Sequence, residues 1–222
     1  SDLPGGDLAV RRGLGMHVAS KHEIWNNSPE KVLGVTREWA DRHPGTHVAL
    51  VAALIEGARW LDQPQNRAPA AKLMVEGGWA RADRDCMEAA LLAKPGGIVF
   101  QRHAATFPWR SHGIWFALQM MRAGQAGGSI DLTTAARTAY RTDIYREAAA
   151  LVGQPCPPSD FKSEGGNAQP WLLQSQDGVA LELGADRLLD GAKFDPWAPL
   201  EWLRAQSWTP PPAQTAATNM AR

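Results

Sequence analysis

The chain has 222 residues, of which 44% are hydrophobic, so it can bury a core as one large domain or two small ones. Lysine and arginine number 23, as do aspartate and glutamate, which argues against a direct nucleic-acid partner or an anionic membrane surface. Two cysteines are too few for a disulfide framework, and no run approaches the 18 apolar residues of a membrane span.

The first 20 residues predict a connecting segment. Residues 1–7 are rich in proline and glycine, and residues 8–20 alternate short apolar pieces around Gly13 and Gly15. This pattern favours a turn that leads into a strand. No basic stretch followed by an apolar run is present, so we expect no signal peptide in the sequence given.

Residues 24–62 are the stretch around which the chain is organised. After a breaker cluster at residues 26–29, Val32, Leu33 and Val35 predict a short buried strand interrupted by Gly34, which would place Lys31 at the mouth of a strand.

A helix follows that strand in the prediction. Pro44 can open it because its missing N–H is not needed at the first helical position, and Pro64 forbids its continuation. Its apolar residues repeat at helical spacing and predict one core face, formed by Val51, Leu54, Ile55, Ala58 and Leu61.

Beyond residue 62, further elements are predicted from periodicity and from glycine and proline punctuation. In order, these are helices at 70–74 and 83–93, a strand at 98–100, a helix capped by Ser111 and ended by Gly124, a helix at 142–151, a strand at 179–183 and a last helical turn or two at 199–205. Residues 209–222 are rich in proline, alanine and threonine, and we expect them to form a flexible tail.

Three segments carry a family resemblance. They are IWNNSPEKVLGVTREWADRHPGTHVALVAALIEGARWLD at residues 24–62, FQRHAATFPWRSHGIWF at 100–116 and RLLDGAKFDP at 187–196. In this order they resemble the nitrate/nitrite/bicarbonate solute-binding family of ABC transporters. The resemblance covers roughly residues 8 to 203 and corresponds to the C-terminal half of a family member.

The resemblance implies an α/β, two-lobed fold of the periplasmic-binding-protein type II kind, of which this chain is the helix-rich C-terminal portion. Residues 1–20 would then be the inter-lobe crossover segment, 21–208 the C-terminal portion of the solute-binding fold and 209–222 the tail. The expected partners are nitrate or nitrite, an ABC permease, and the N-terminal half of the same fold, which is needed to complete the cleft.

Lys31 is the candidate ligand-binding residue. On the residues alone, a lysine here is more simply a solvated charge at a sheet edge. The resemblance places Lys31 at the position whose lysine contacts the anion in nitrate binders, whereas bicarbonate binders carry an acidic residue there. A cation would attract nitrate or nitrite directly in a partly desolvated cleft.

Metal binding is the weaker interpretation of the histidines. His43 and His47 have the i, i+4 spacing of a metal half-site, but His43 precedes Pro44 outside the helix and no third ligand lies nearby in the sequence. We therefore predict no metal site, and structural roles for His103 and His112.

Catalysis is the least supported class of function. The sequence has no G-x-S-x-G motif, no P-loop and no dinucleotide fingerprint, so we expect no enzyme, no catalytic residue and no cofactor. Asp190 and Asp195 flank Gly191 in a pattern typical of a turn. Trp39, Trp60 and Trp115 lie in apolar-periodic segments and are predicted to be core residues rather than a sugar-binding platform.

Three functions remain open from the sequence. The first is the nitrate/nitrite-binding component of an ABC transporter, which would be periplasmic or membrane-associated. The second is a cytoplasmic nitrate/nitrite sensor that holds an RNA-binding antiterminator until the anion binds. The third is an interaction module without a ligand. A signal peptide or lipobox upstream of Ser1 would support the transporter.

Overall fold

The structure is a computed structural model that describes residues 5–80, 82–92, 98–126 and 130–206, with only the backbone of Gly5 and Asp7. The predicted tail at 209–222 and the first residues of the predicted crossover segment lie outside these ranges. The described helices are α1 Gly5–Arg11, α2 Lys21–Ile24, α3 Arg37–Arg42, α4 Pro44–Leu61, α5 Arg67–Glu76, α6 Arg84–Leu91, α7 Arg110–Arg122, α8 Leu132–Ala139, α9 Thr142–Leu151 and α10 Pro199–Ala205.

The sheet of the described chain is small. Strands β1 (Trp171–Gln174) and β2 (Ala180–Leu183) pair antiparallel, with Trp171 opposite Leu183. Short 3-10 turns lie at Pro64–Asn66 and Arg102–Ala104. The architecture is therefore helix-rich, with layers of helix packed on helix and a β-hairpin at one side.

The central helix α4 starts at Pro44 as predicted, and it packs on α9. Its buried residues join Phe107, Trp109, Tyr145 and Ala148 in one apolar cluster, and they include Val48, Ala52 and Ile55. Complete burial of a side chain such as Ile55 contributes about 1.5–3 kcal/mol to folding. This cluster is the largest of the three in the described chain.

The predicted core face of α4 is partly wrong. Ile55 and Ala58 are buried, but Leu54 is 47% exposed, and Val51 and Leu61 are half-buried. Successive residues of a helix point about 100° apart, so Leu54 and Ile55 cannot both face α9. Leu54 instead lines an open cleft, with its side chain half exposed.

Two further clusters complete the core. Ile114, Leu118 and Met121 of α7 pack with α8, Phe194 and the two inward residues of α10, Trp202 and Leu203, as predicted for α10. Ala70 and Ala71 of α5 pack against Met87 and Leu91 of α6.

The predicted strand at residues 32–35 is absent from the described chain. Val32 is 75% exposed and Leu33 46% exposed, and the segment is irregular. The amides of Val32, Leu33, Gly34 and Val35 make no backbone hydrogen bond to another described residue. A strand needs a paired neighbour, and none borders this segment among the described residues.

Residues 8–20 were predicted to turn into a strand, and this prediction is wrong. Helix α1 occupies their first part, and Gly13 ends it at φ +67. The amide of Gly13 bonds to the carbonyl of Val10 and the amide of Leu14 to that of Ala9, which is a Schellman motif. The glycine pattern therefore marks the C-terminus of a helix.

Two other local predictions are corrected. Residues 98–100 form no strand, and Ser111 is not the N-cap of α7, because the helix begins at Arg110 after Trp109. Ser111 lies inside the first turn and is buried. No helix in the described ranges has the length and apolar character that crossing a membrane requires.

Candidate functional site

We call residues 12–36, which link α1 to α3, the arm. The arm and the rest of the chain border an open cleft of about 2530 Å³. Met16, Val18 and Val32 line it from the arm, and Val51 and Leu54 from α4. This surface is largely apolar.

Lys31 lines the same cleft and is exposed. It lies in the irregular part of the arm, so the predicted position at a strand mouth is wrong. The segment before it is fixed by Lys21, whose Nζ donates to the carbonyl oxygen of Pro29 at 3.0 Å and lies 2.7 Å from Oε1 of Glu30. Ligand contact by Lys31 stays a prediction.

Lys21 and Arg141, which also line the cleft, are each paired with a carboxylate. Lys21 pairs with Glu30, and Nη2 of Arg141 lies 2.7 Å from Oδ2 of Asp143. The side-chain bond from Arg141 lowers the pKa of Asp143 and so keeps this pair ionised. A cation held by a carboxylate attracts a further anion less strongly.

The loop that carries the HAATFPWRSH signature forms another wall of the cleft. Its residues His103 and Ala104 have φ of +60 and +55, a left-handed conformation that non-glycine residues rarely adopt. Such strain costs about 1–3 kcal/mol per residue and persists only where the surroundings hold it. Nδ1 of His103 lies 3.1 Å from the carbonyl oxygen of Glu182, which fixes the ring.

Asp62 provides much of that restraint. Its carboxylate accepts hydrogen bonds from the amides of Phe100, Gln101 and Arg102 at 3.0, 2.7 and 2.6 Å. Arg67 holds Asp62 from the other side and also donates to the carbonyl oxygen of Leu91 at 2.9 Å. Neither residue was predicted from the sequence, because the loop they organise is 38 or more positions from Asp62.

A buried ionic network lies next to the arm. Lys162 bonds to Glu164 and lies 3.3 Å from Oδ2 of Asp186, and Ser111 donates to Oε1 of Glu164 at 2.9 Å. Nε2 of His112 lies 3.2 Å from the same oxygen. The sequence shows these charged residues in a loop-like region, where solvated positions are the ordinary expectation.

The network sets two opposite pKa shifts. Burial alone would raise the pKa of Glu164, but the charges of His112 and Lys162 outweigh it and lower the pKa to about 2. Burial raises the pKa of Asp186, while Lys162 opposes that rise and Glu164 adds to it. The two carboxylates therefore share one ammonium group unequally.

The chain is similar to several known proteins. Residues 4–75 match the model of the NMT1-like family. The nitrate/nitrite binding protein NrtA of Synechococcus elongatus is 26% identical over 208 residues, which cover 87% of this chain and 42% of that protein. A crystal structure of the periplasmic nitrate-binding protein NrtA from Synechocystis superposes with a TM-score of 0.70 at 22% identity, covering 91% of this chain and 51% of that one.

The chain is related to the solute-binding proteins of nitrate and bicarbonate transport. The resemblance predicted from the three sequence segments is thus confirmed, and so is the two-lobed solute-binding fold, of which the chain has the helix-rich part. The chain spans about half the length of these relatives, or less. A bicarbonate transport ATP-binding protein, CmpC of Synechococcus elongatus, is also similar, with 28% identity over 68% of this chain and 23% of that protein.

His43 and His47 both lie beside the ring of Trp39. His43 precedes α4 and His47 is buried in it, with the ring of Trp39 5.5 and 5.7 Å from theirs. The described residues contain no cluster of three or more metal-ligating side chains. His103 lies beside the carbonyl oxygen of Glu182, and His112 lies beside the carboxylate of Glu164.

Two aspartates and three tryptophans are the other residues for which the sequence predicted a role. Asp190 and Asp195 each accept an amide two residues on, from Ala192 at 3.0 Å and Trp197 at 2.9 Å, so they form turns as predicted. Trp39 and Trp115 are partly buried, but Trp60 is exposed and is not the core residue that its position in the sequence predicted.

Proposed function

We propose that this chain is the C-terminal portion of a nitrate- or nitrite-binding protein that serves an ABC transporter. The observation that carries the proposal is a lysine on the wall of a cleft, in a chain similar over most of its length to proteins named for nitrate and nitrite binding. Lys31 is the residue proposed to contact the anion.

The attraction between Lys31 and an anion depends on the surroundings of the ammonium group. Two unit charges 4 Å apart attract by about 1 kcal/mol in water and about 4 kcal/mol at the effective dielectric of a protein surface. Lys31 is exposed in this chain, so its attraction for an anion is close to the lower value. A second lobe that closes over the arm would exclude water and strengthen it.

The exposed apolar surface of the arm also indicates that a second lobe covers it. The arm exposes Leu14, Met16, Val18, Val32 and Leu33, and soluble proteins seldom leave an apolar patch of this kind uncovered. The Synechocystis structure is about twice as long as the part that this chain covers. We propose that the N-terminal half of the same fold covers the arm and completes the cleft.

An ABC permease is the proposed protein partner. The relatives include a binding protein and a transport ATP-binding protein, and these names favour transport over the sensor and over a module without a ligand. The sequence itself contains no P-loop, so the stretch shared with the ATP-binding protein is not a nucleotide site of that kind. A binding role without catalysis fits these relatives.

Calorimetric titration tests the proposal. The 222-residue chain alone should bind nitrate only weakly, well above the micromolar range. A folded fusion with the preceding half of the Synechococcus elongatus relative should bind nitrate or nitrite in that range and prefer them to bicarbonate. Tight binding by the chain alone would show that the site needs no second lobe, and a folded fusion that binds neither anion would overturn the proposed function.

A further inference from the structure

The arm has one buried side chain. Among residues 12–36, all of which the structure describes, Trp25 alone is buried, at 6% exposure, while the others are exposed or half-buried. The middle of the arm is therefore attached to the rest of the molecule chiefly through one indole ring.

The residues that contact the Trp25 ring, which we call its seat, supply polar and aromatic groups. Nε1 of Trp25 donates to Oδ1 of Asp186 at 2.7 Å, and the ring makes edge contacts with His112 and Trp115 at centroid distances of 5.8 and 5.4 Å. Asp186 is itself held by Lys162 and by paired backbone bonds with Asn167. The seat is thus rigid, since its parts are fixed by groups outside the arm.

Backbone hydrogen bonds attach the arm to the rest of the molecule at the same place. Leu189 donates to the carbonyl oxygen of Ile24 at 2.8 Å, and Asn26 donates to that of Arg187 at 3.3 Å. The side chain of Asn26 accepts the amide of Arg187 at 2.7 Å. These bonds all fall within three consecutive residues of the arm, so they form and break together with the Trp25 contact.

Local hydrogen bonds and an ion pair connect the Trp25 contact to the residues that directly precede Lys31. The amide of Ser28 bonds to the carbonyl oxygen of Trp25, and Lys21 holds Pro29 and Glu30. The turn from Trp25 to Glu30 therefore moves as one piece, and Lys31 follows directly after it.

We propose that Trp25 is a positioning residue that latches the arm. With Trp25 on Asp186, Lys31 is held at the cleft; with Trp25 released, the arm moves away while the helical body stays folded. The meaning of the latch for anion binding rests on the proposed function of Lys31. The latch itself depends only on the contacts of Trp25.

Hydrogen–deuterium exchange of the 222-residue chain tests the latch. Trp25→Phe keeps an aromatic ring but removes the donor to Asp186. It should raise exchange of the bonded amides at residues 23–28, and of Arg187 and Leu189, about tenfold, while the amides of α4 and α9 stay as in the wild type. Trp79→Phe, the same change at an exposed tryptophan, should alter neither group.

Two outcomes would overturn the proposal. In one, the arm exchanges as in the wild type. In the other, exchange rises by the same factor in the arm, α4 and α9, which would make Trp25 an ordinary core residue. If Trp25→Phe does not fold, Asn26→Ala removes the acceptor of the Arg187 amide from a half-buried position and must show the same local increase.

The measurement needs no anion, so the two proposals fail separately. A latch confirmed by exchange, together with nitrate affinity indifferent to Lys31, would remove the proposed function alone. An arm unaffected by Trp25→Phe, together with Lys31-dependent nitrate binding in the two-lobed fusion, would remove the latch alone.

Discussion

Nη2 of Arg67 lies 3.4 Å from Oδ1 of Asp62, and the two side chains are 3% and 4% exposed. The pair joins the end of α4 to the start of α5 and holds the strained signature loop through three amides. One buried pair therefore sets the shape of one wall of the cleft.

Removing one partner of the Asp62–Arg67 pair should strongly reduce the stability of the fold. Asp62→Ala leaves the Arg67 charge buried without its carboxylate and releases three loop amides, so we expect a loss of about 3–5 kcal/mol in a reversible denaturant melt. Glu38→Gln at the exposed pair with Arg42 is the control and should cost at most about 1 kcal/mol. Similar losses for both variants would contradict the assigned role of Asp62.

Glu164 should make the protein acid-sensitive. Its folded pKa of about 2 lies below the ordinary 4.5, so its contribution is present above pH 4.5 and is lost as the pH falls towards 2. The shift corresponds to about 3 kcal/mol. Asp186, with its raised pKa, acts in the opposite direction and offsets part of this loss.

Melts of the wild type and of Glu164→Gln across this pH range isolate the effect. The variant should be less stable at pH 7, because Lys162 loses a charged partner, and the gap should narrow as the pH falls. Glu76→Gln, at an exposed pair on α5, should track the wild type throughout. A gap that stays constant from pH 7 to pH 2 would contradict the buried-charge account.

Neighbouring positions on α4 should respond differently to truncation. Ile55 is 1% exposed and lies in the main apolar cluster, so Ile55→Ala should cost about 2–5 kcal/mol. Leu54→Ala, on the cleft side, should cost clearly less in the 222-residue chain, because its side chain is half exposed. Chemical denaturation of both variants checks the difference, and equal losses would place Leu54 in the core.

Lys31 should select the anion in a two-lobed protein that contains this chain. Lys31→Glu replaces attraction by repulsion, so nitrate affinity should fall by more than the tenfold that corresponds to about 1.4 kcal/mol. Lys31→Met keeps the apolar stem and deletes the charge, so its loss should be intermediate. Calorimetry at two salt concentrations should show greater salt weakening for the wild type than for Lys31→Met.

Lys72→Met removes a lysine charge outside the residues that line the cleft and serves as the control for Lys31. It should leave nitrate affinity unchanged. Equal affinities for the wild type and both Lys31 variants, with unchanged melting, would return Lys31 to a solvated surface charge.

Local signals predicted most of the helices. α4, α6, α9 and α10 lie within a few residues of their predicted positions, because apolar periodicity and proline or glycine stops act over neighbouring residues. Helices α1, α2, α3 and α8 and strand β1 were not predicted.

The wrong predictions share a non-local cause. Val32 and Leu33 look like a strand by composition, but a strand forms only beside a partner. Ser111 looks like an N-cap, but its hydroxyl bonds to Glu164, 53 positions away. The buried network had no local signature either, since Lys162, Glu164 and Asp186 are brought together only by the folded loop.

The bond between Trp25 and Asp186 spans 161 positions of the chain. On a ribosome that adds 5–20 residues per second, roughly 10–30 s therefore pass between synthesis of the indole and synthesis of its acceptor. Throughout that time the apolar side chains of residues 14–35 are outside any finished fold. The N-terminal part of this chain is thus the part most in need of a chaperone, or of an already folded lobe, while the protein is being made.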